Sequence, residues 1–489
     1  MIAADDRKLF RITLAIVAAI TLVRVIVLIV SPLQLYPDEA QYWWWAQTPD
    51  LGYFSKPPLI AWIIWAFTAL FGDSEWAMRL ASPLLHAGTA LLLFGIGRRA
   101  FDARTGLWSA LAYLTLPGVA YSCGLISTDV PLLFCWALAL YAFFRALDDS
   151  VWRWAVVCGL AVGFGLLSKY AMAYFFLGAV FAAIASPQAR RAVLSLRGLV
   201  VLVLALTVLS PNIIWNAQHH FATVGHTESN ANWSHAHFSV LNFLNFFGGQ
   251  FGVFGPILMI GFIAALWRLA RGPERPQAEL VLASFSLPAL LVIIGQSFIS
   301  DANANWAAPA YIAATPLAVA LLLHVWNGRA LWASFALHGT AIVLLWAIMV
   351  SPPFANTIGL GNAFKRLEGW RELGQAVVAE AKRAPYDAIV TDNRSVVAEL
   401  LYYGRPRTIP VKVWSQDARV TDHFQMTMPL TPATRRALLV VEPGSAPIVT
   451  ATFDSVTRVG TSVVPVGGHH TRTELFFDAR GYRGPAHTP

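Results

Sequence analysis

Between Phe10 and Val350 the sequence is one apolar run after another, and this feature restricts the fold more than any other. A hydrocarbon core of ~30 Å takes about 20 apolar residues as a helix. Within it every backbone N–H and C=O must be satisfied inside the segment, so such runs fold as membrane helices. Charged residues make up only 13% of the 489-residue chain, against roughly a quarter in soluble domains. After Pro352 ordinary charge density returns. The shift divides a membrane domain, 1–350, from a soluble domain, 351–489. The net charge of +8 would suit a nucleic-acid partner. The basic residues lie in short loops between apolar runs, however, not in a stripe with interleaved aromatics, so no nucleic-acid partner is expected. Cys123, Cys135 and Cys158 fall inside apolar runs and read as small buried hydrophobes. The first run lacks a small-residue cleavage site and reads as a retained helix.

About eleven spans are expected, at 11–31, 77–97, 106–125, 130–147, 152–168, 170–185, 198–215, 243–267, 278–298, 306–325 and 330–350. Loops rich in arginine (Arg98, Arg99 and Arg104; Arg190, Arg191 and Arg197; Arg268, Arg271 and Arg275) alternate with nearly uncharged ones. The positive-inside bias makes the first set cytoplasmic. The N-terminus is then inside and the soluble domain periplasmic, in a multi-pass protein of the cell inner membrane. The apolar stretch 57–72 is short and begins with Pro-Pro. It reads as a re-entrant or interfacial helix in a long outer loop, 32–76. The stretch 154–185 is too long for one span and short for two. Its turn, Ser168-Lys169-Tyr170, should lie below the outer surface, where a lysine needs an anionic partner.

The distinctive polar residues of the membrane half gather at the outer helix ends. They are Tyr36-Pro37-Asp38-Glu39, Gly52-Tyr53-Phe54-Ser55-Lys56-Pro57-Pro58, Ser127-Thr128-Asp129-Val130-Pro131, Ser168-Lys169-Tyr170, Trp215-Asn216-Ala217-Gln218-His219 and Asp301-Ala302-Asn303-Ala304-Asn305-Trp306. Carboxylates, two lysines and aromatic rings on one face suit a sugar and a phosphate at a membrane surface. Simpler roles exist for several of them. Asp38-Glu39 fits a helix N-terminus, and Asp129 fits an N-cap followed by proline; neither role excludes catalysis. Lys56 and Lys169 stand against the positive-inside bias, and an ammonium is a good point charge for phosphate. Trp43, Trp44 and Trp45 read as an interfacial aromatic belt. The histidines at 219, 220, 226, 235 and 237 match no tight metal-ligand spacing. Arg24 either snorkels outward or assists the phosphate site.

These runs resemble the protein O-mannosyltransferase superfamily. The likeness is nearest to the bacterial aminoarabinose (lipid A) transferase and the lipopolysaccharide galacturonosyltransferases, and it covers about residues 10–350. It rests on Asp38-Glu39 after the first helix, Gly-Tyr-Phe-Ser-Lys-Pro-Pro, Ser-Thr-Asp-Val-Pro, Leu-Leu-Ser-Lys-Tyr at 166–170 and Ile-Ile-Trp-Asn-Ala-Gln-His at 213–219. The resemblance implies the GT-C fold: an all-α polytopic membrane domain with juxtamembrane helices and a small extracytoplasmic α/β domain. It implies an inverting transferase that takes sugar from a polyprenyl-phosphate donor, in bacteria undecaprenyl phosphate. Lipid A or lipopolysaccharide core is the first-ranked acceptor. Asp38 is then the catalytic base and Asp129 a second active-site carboxylate, with Lys56 and Lys169 on the donor phosphate. Glu39, Tyr53, Tyr170, Asn216 and His219 complete the substrate-binding candidates. No cofactor is required; a divalent metal at Asp38 and Asp129 is the minority option. Membrane lipids are the other expected partners, and the protein is expected to be a monomer.

In the soluble domain, helices are expected at 370–382 and 395–403, and strands at 387–391, 408–414 and 437–441. Asp392-Asn393 reads first as a turn and helix cap. This domain is expected to cover the outer mouth and shape the acceptor site. The main alternative is a transporter or flippase of lipid-linked sugars. Transporters place ionisable residues near the midplane on broken helices in matched halves. No half-repeat is visible here.

Overall fold

The computed structural model describes residues 4–148, 151–231, 238–406, 408–417 and 419–485. Among them, six helices are long and apolar enough to cross a membrane: Asp5–Val30, Glu75–Ala100, Asp129–Asp148, Leu196–Gln218, Gln277–Ile299 and Arg329–Val350. Four further apolar helices are shorter, at Leu59–Phe71, Trp152–Ser168, Tyr170–Ala185 and Ala310–Leu322. The expected span 243–267 is not a continuous helix. It is Val240–Phe254 followed by Pro256–Arg271, bent by 105°. The cause is local. Gly255 has φ +85°, and Pro256 disfavours helical geometry in the residue before it. The span expected at 106–125 likewise breaks at Leu116, between Ala103–Thr115 and Pro117–Ser122. The helix Leu59–Phe71 has 13 residues, the short element expected there.

The chain divides into two compact units: residues 1–29, 56–63 and 79–346, and residues 30–55, 64–78 and 347–489. In the first, one apolar core runs through the helices, built from Leu93, Phe94, Trp136, Phe175, Phe254, Phe262 and Phe285 among many others. Small residues let backbones approach, as membrane helix pairs require. A Cβ at Gly106 would lie 2.5 Å from the carbonyl of Phe94. Asp102 opens the helix Ala103–Thr115 by accepting from the Thr105 amide at 2.6 Å.

The second unit holds a five-stranded sheet of order β2-β1-β3-β5-β4, with β1 Ala388–Thr391, β2 Val411–Val413, β3 Arg436–Val441, β4 Phe453–Val466 and β5 His470–Tyr482. β1 pairs in parallel with β2 and β3, while β5 runs antiparallel to β3 and β4. Helices Trp370–Ala381 and Arg394–Tyr403 fall where the sequence places them. Apolar clusters occupy both faces: Val390, Leu439 and Val441 on one, Leu373, Leu400, Leu438 and Val440 on the other. The long β4–β5 hairpin was not anticipated, because β4 buries only three of its 14 residues and carries no long apolar run. The segment after the first helix is bound into this unit. Gln34 accepts from the Trp370 and Arg371 amides and donates to Glu372, while the Leu35 amide donates to the Tyr403 hydroxyl.

Candidate active site

In the first unit the helix Asp129–Asp148 starts at its carboxylate, and the helix Trp152–Ser168 ends one residue before Lys169. Lys169 has extended backbone angles, φ −159° and ψ 134°, which turn its side chain out of both flanking helices. Its Nζ lies 2.7 Å from Asp129 Oδ1, and the other oxygen accepts from Asn305 Nδ2 at 2.7 Å. Ser168 Oγ donates to the Thr128 carbonyl at 2.7 Å and fixes the two turns together. The side chains of Lys169 and Asp129 are 19% and 13% exposed, so the lysine has the anionic partner its setting demands. Both oxygens of Asp129 thus face donors, one of them a cation. A metal ion there would have to displace the ammonium.

Next to this turn, the Tyr170 hydroxyl donates to Asn212 Oδ1 at 2.7 Å and accepts from Asn216 Nδ2 at 3.2 Å. Asn216 Oδ1 accepts from the Thr223 amide. Asn212 and Asn216 are buried and lie one turn apart on the helix Leu196–Gln218, which orders Tyr170 against that helix. His219 stacks on Trp215 with centroids 4.0 Å apart, and its Nδ1 lies 2.8 Å from the Trp215 carbonyl. Asn305 belongs to the polar run 301–306 that the sequence places at the outer helix ends. Asn212 lies inside the helix Leu196–Gln218, six residues before its end, where nothing in the sequence marked it. Lys56 is half-buried in the loop preceding Leu59–Phe71.

Arg24 does not snorkel outward. It is 2% exposed and its Nη2 donates to the Leu114 carbonyl. Among the described residues no group of three or more His, Cys, Asp or Glu side chains is arranged to hold a metal. His235 and His237 lie outside the described residues.

In the second unit, Asp38 and Glu39 stand in the first turn of the helix Pro37–Gln47. Glu39 is buried, and its Oε2 accepts from the Tyr36 amide at 2.9 Å, a capping interaction. Asp38 is more open, 42% exposed, and Arg394 Nη2 donates to its Oδ1 at 2.8 Å. Arg394 Nη1 also donates to Gln41 Oε1 at 2.8 Å. Burial opposes the charge on this guanidinium, but the Asp38 carboxylate outweighs it and raises its pKa. Asn393 caps the helix that carries Arg394, accepting from the Ser395 amide at 2.8 Å. Tyr53 stacks on Trp45 at 4.4 Å, and its hydroxyl donates to the Trp45 carbonyl. The belt expected at Trp43–Trp45 is corrected. Trp43 and Trp45 are 2% and 1% exposed and belong to the packing of this unit. Trp43 donates to Asp73 and packs edge-on against Tyr402.

Residues 55–215 match the family model described as dolichyl-phosphate-mannose-protein mannosyltransferase. The chain is 40% identical to the lipid A galacturonosyltransferase RgtD of Rhizobium johnstonii over 391 residues, 80% of this chain and 82% of that one. It is 33% identical over 156 residues to the undecaprenyl phosphate-alpha-4-amino-4-deoxy-L-arabinose arabinosyl transferase of Pseudomonas aeruginosa, 28% of each chain. The fold is similar to that of ArnT from Cupriavidus metallidurans bound to undecaprenyl phosphate, with a TM-score of 0.66, 17% identity and coverage of 95% of this chain and 97% of that one. A multi-pass helical body, a small α/β domain and a relative aligned along four-fifths of the chain make one conclusion: this protein belongs to the family of membrane glycosyltransferases of GT-C fold that includes the lipid A galacturonosyltransferase RgtD.

Proposed function

We propose that this glycosyltransferase moves a galacturonic acid residue from a polyprenyl-phosphate carrier, undecaprenyl phosphate, to a hydroxyl or phosphate oxygen of lipid A. The observation that carries this reading is the 40% identity to RgtD over 80% of the chain. The likeness to ArnT, whose structure holds undecaprenyl phosphate, supports the carrier. In the reaction the acceptor oxygen attacks the anomeric carbon and Asp38 takes any proton it carries. The bond from that carbon to the carrier phosphate breaks, the electron pair leaves on the phosphate oxygen, and the configuration inverts. Phosphate gains charge as this happens, and fixed cations facing it lower the barrier. Lys169, oriented by Asp129 and Asn305, and Lys56 supply that charge without a metal. Tyr170, Asn216 and His219 meet the sugar, while Glu39 and Tyr53 shape the segment that carries Asp38. We take the membrane domain as 1–350 with eleven crossings, the N-terminus cytoplasmic and residues 351–489 periplasmic, and the active species as a monomer.

The test is a reconstituted reaction of the purified full chain with lipid A and a polyprenyl-phosphate-linked galacturonic acid. Transfer of one hexuronic acid is expected. An aminopentose accepted in its place would overturn the sugar assignment. No transfer of any sugar, with lipid-linked sugar crossing the vesicle instead, would favour the transporter.

A further inference from the structure

A cavity of about 410 Å³ opens in the first unit between the helices Asp129–Asp148, Trp152–Ser168, Tyr174–Ala185 and Leu196–Gln218. Its wall is apolar, formed by Phe143, Phe175, Phe176 and Leu199 with the Trp154 ring, and one guanidinium, Arg197, completes the lining. Among the described residues, the buried Arg197 Nη1 meets no hydrogen-bond acceptor. Such a donor in an apolar setting costs free energy until an acceptor arrives. Two more cations stand at the same end. Arg145 and Arg153 lie over the Trp154 ring, their Cζ atoms 4.4 and 5.0 Å from its centroid.

The ligand that fits is amphiphilic, with a hydrocarbon chain for the wall and an anionic head for the arginines. We infer that this cavity binds an anionic glycerophospholipid of the surrounding membrane, its acyl chain along the aromatic wall and its phosphate on Arg197. Basic pockets between membrane helices hold anionic headgroups in this manner. The donor phosphate is not this ligand. Trp154 and Lys169 lie at opposite ends of one helix, about 22 Å apart at ~1.5 Å per residue. The site is therefore separate from the proposed chemistry and does not rest on it.

The experiment is native mass spectrometry of the purified full chain, offered dioleoyl phosphatidylglycerol or dioleoyl phosphatidylcholine. The wild type should retain one phosphatidylglycerol about tenfold more tightly than phosphatidylcholine, ~1.4 kcal/mol. Arg197→Met should bring the two lipids to parity, and Arg197→Lys should keep much of the preference. Equal retention of both lipids by the wild type overturns the inference whether or not the variants fold. So does an unchanged preference in Arg197→Met.

Discussion

Removing the Asp129–Lys169 pair one partner at a time, then together, separates structure from catalysis at this turn. With 13% and 19% of the two side chains exposed, either single loss strands a mostly buried charge. Breaking a buried pair costs about 3–5 kcal/mol. The remaining exposure and the second donor on Asp129, Asn305, reduce this to about 2–3 kcal/mol. Asp129→Asn and Lys169→Met should therefore each lower the melting midpoint in nanodiscs by several degrees. The double variant carries no stranded charge and should recover most of that loss, giving a coupling of about 2 kcal/mol. Transfer should not recover. Removing one fixed donor to a developing anion costs ~10²–10³ in rate, so all three variants should fall to that level in a single-turnover assay with saturating donor. A double variant that is stable and within about twofold of wild-type activity would show the pair to be scaffolding alone and refute its catalytic role. Additive destabilisation would refute the ion pair itself.

Arg394→Gln should lower transfer about tenfold, because the guanidinium reaches Asp38 and Gln41 together, and Arg394→Lys should recover only part of it since an ammonium lacks that fork; an unchanged single-turnover rate would contradict this. Gly255→Ala should sharply reduce folded yield, as its Cβ would lie 2.0 Å from His338 Nε2 at φ +85°, and normal yield in membrane extracts would show that the bend tolerates a side chain. Glu474 lies buried on β5, and burial first, then Glu442, pushes its carboxyl up to about 8 from 4.5. A folded pKa above the unfolded one favours the protonated form, so this contribution to stability is present below the unfolded value and lost as pH rises through about 8. Glu474→Gln, which resembles the protonated acid, should leave the unfolding free energy near pH 5 almost unchanged and raise it near pH 9 by a margin on the order of a few kcal/mol; parallel stability curves against pH for the two proteins would rule this out.

The membrane helices were legible because hydropathy acts locally: a segment without charge for ~20 residues has few other options. The same averaging hid the bend at Gly255, where one Gly-Pro step inside an apolar window outweighs its neighbours. Lys169 was legible through cost, since a cation in that turn required a carboxylate nearby, and Asp129 is that carboxylate. Arg394 was not. It meets Asp38 across 356 residues of sequence, and neither periodicity nor motif connects positions so far apart. Trp43 and Trp45 misled because an aromatic run beside a membrane helix has the composition of an interfacial belt, while their burial comes from tertiary packing. The β4–β5 hairpin escaped notice for the opposite reason: its length comes from cross-strand pairing, not from a buried apolar face.

Glycosyl transfer to lipid A with Asp38 as the base is tested most directly by mass spectrometry of lipid A. The samples come from cells lacking this protein and complemented with either the wild type or Asp38→Asn, both confirmed in the membrane fraction. Lipid A from the wild-type cells should carry the mass of an added hexuronic acid, and lipid A from the other two should lack it. The same modified lipid A from the Asp38→Asn cells would remove Asp38 from the chemistry, and unmodified lipid A in all three would contradict the acceptor itself.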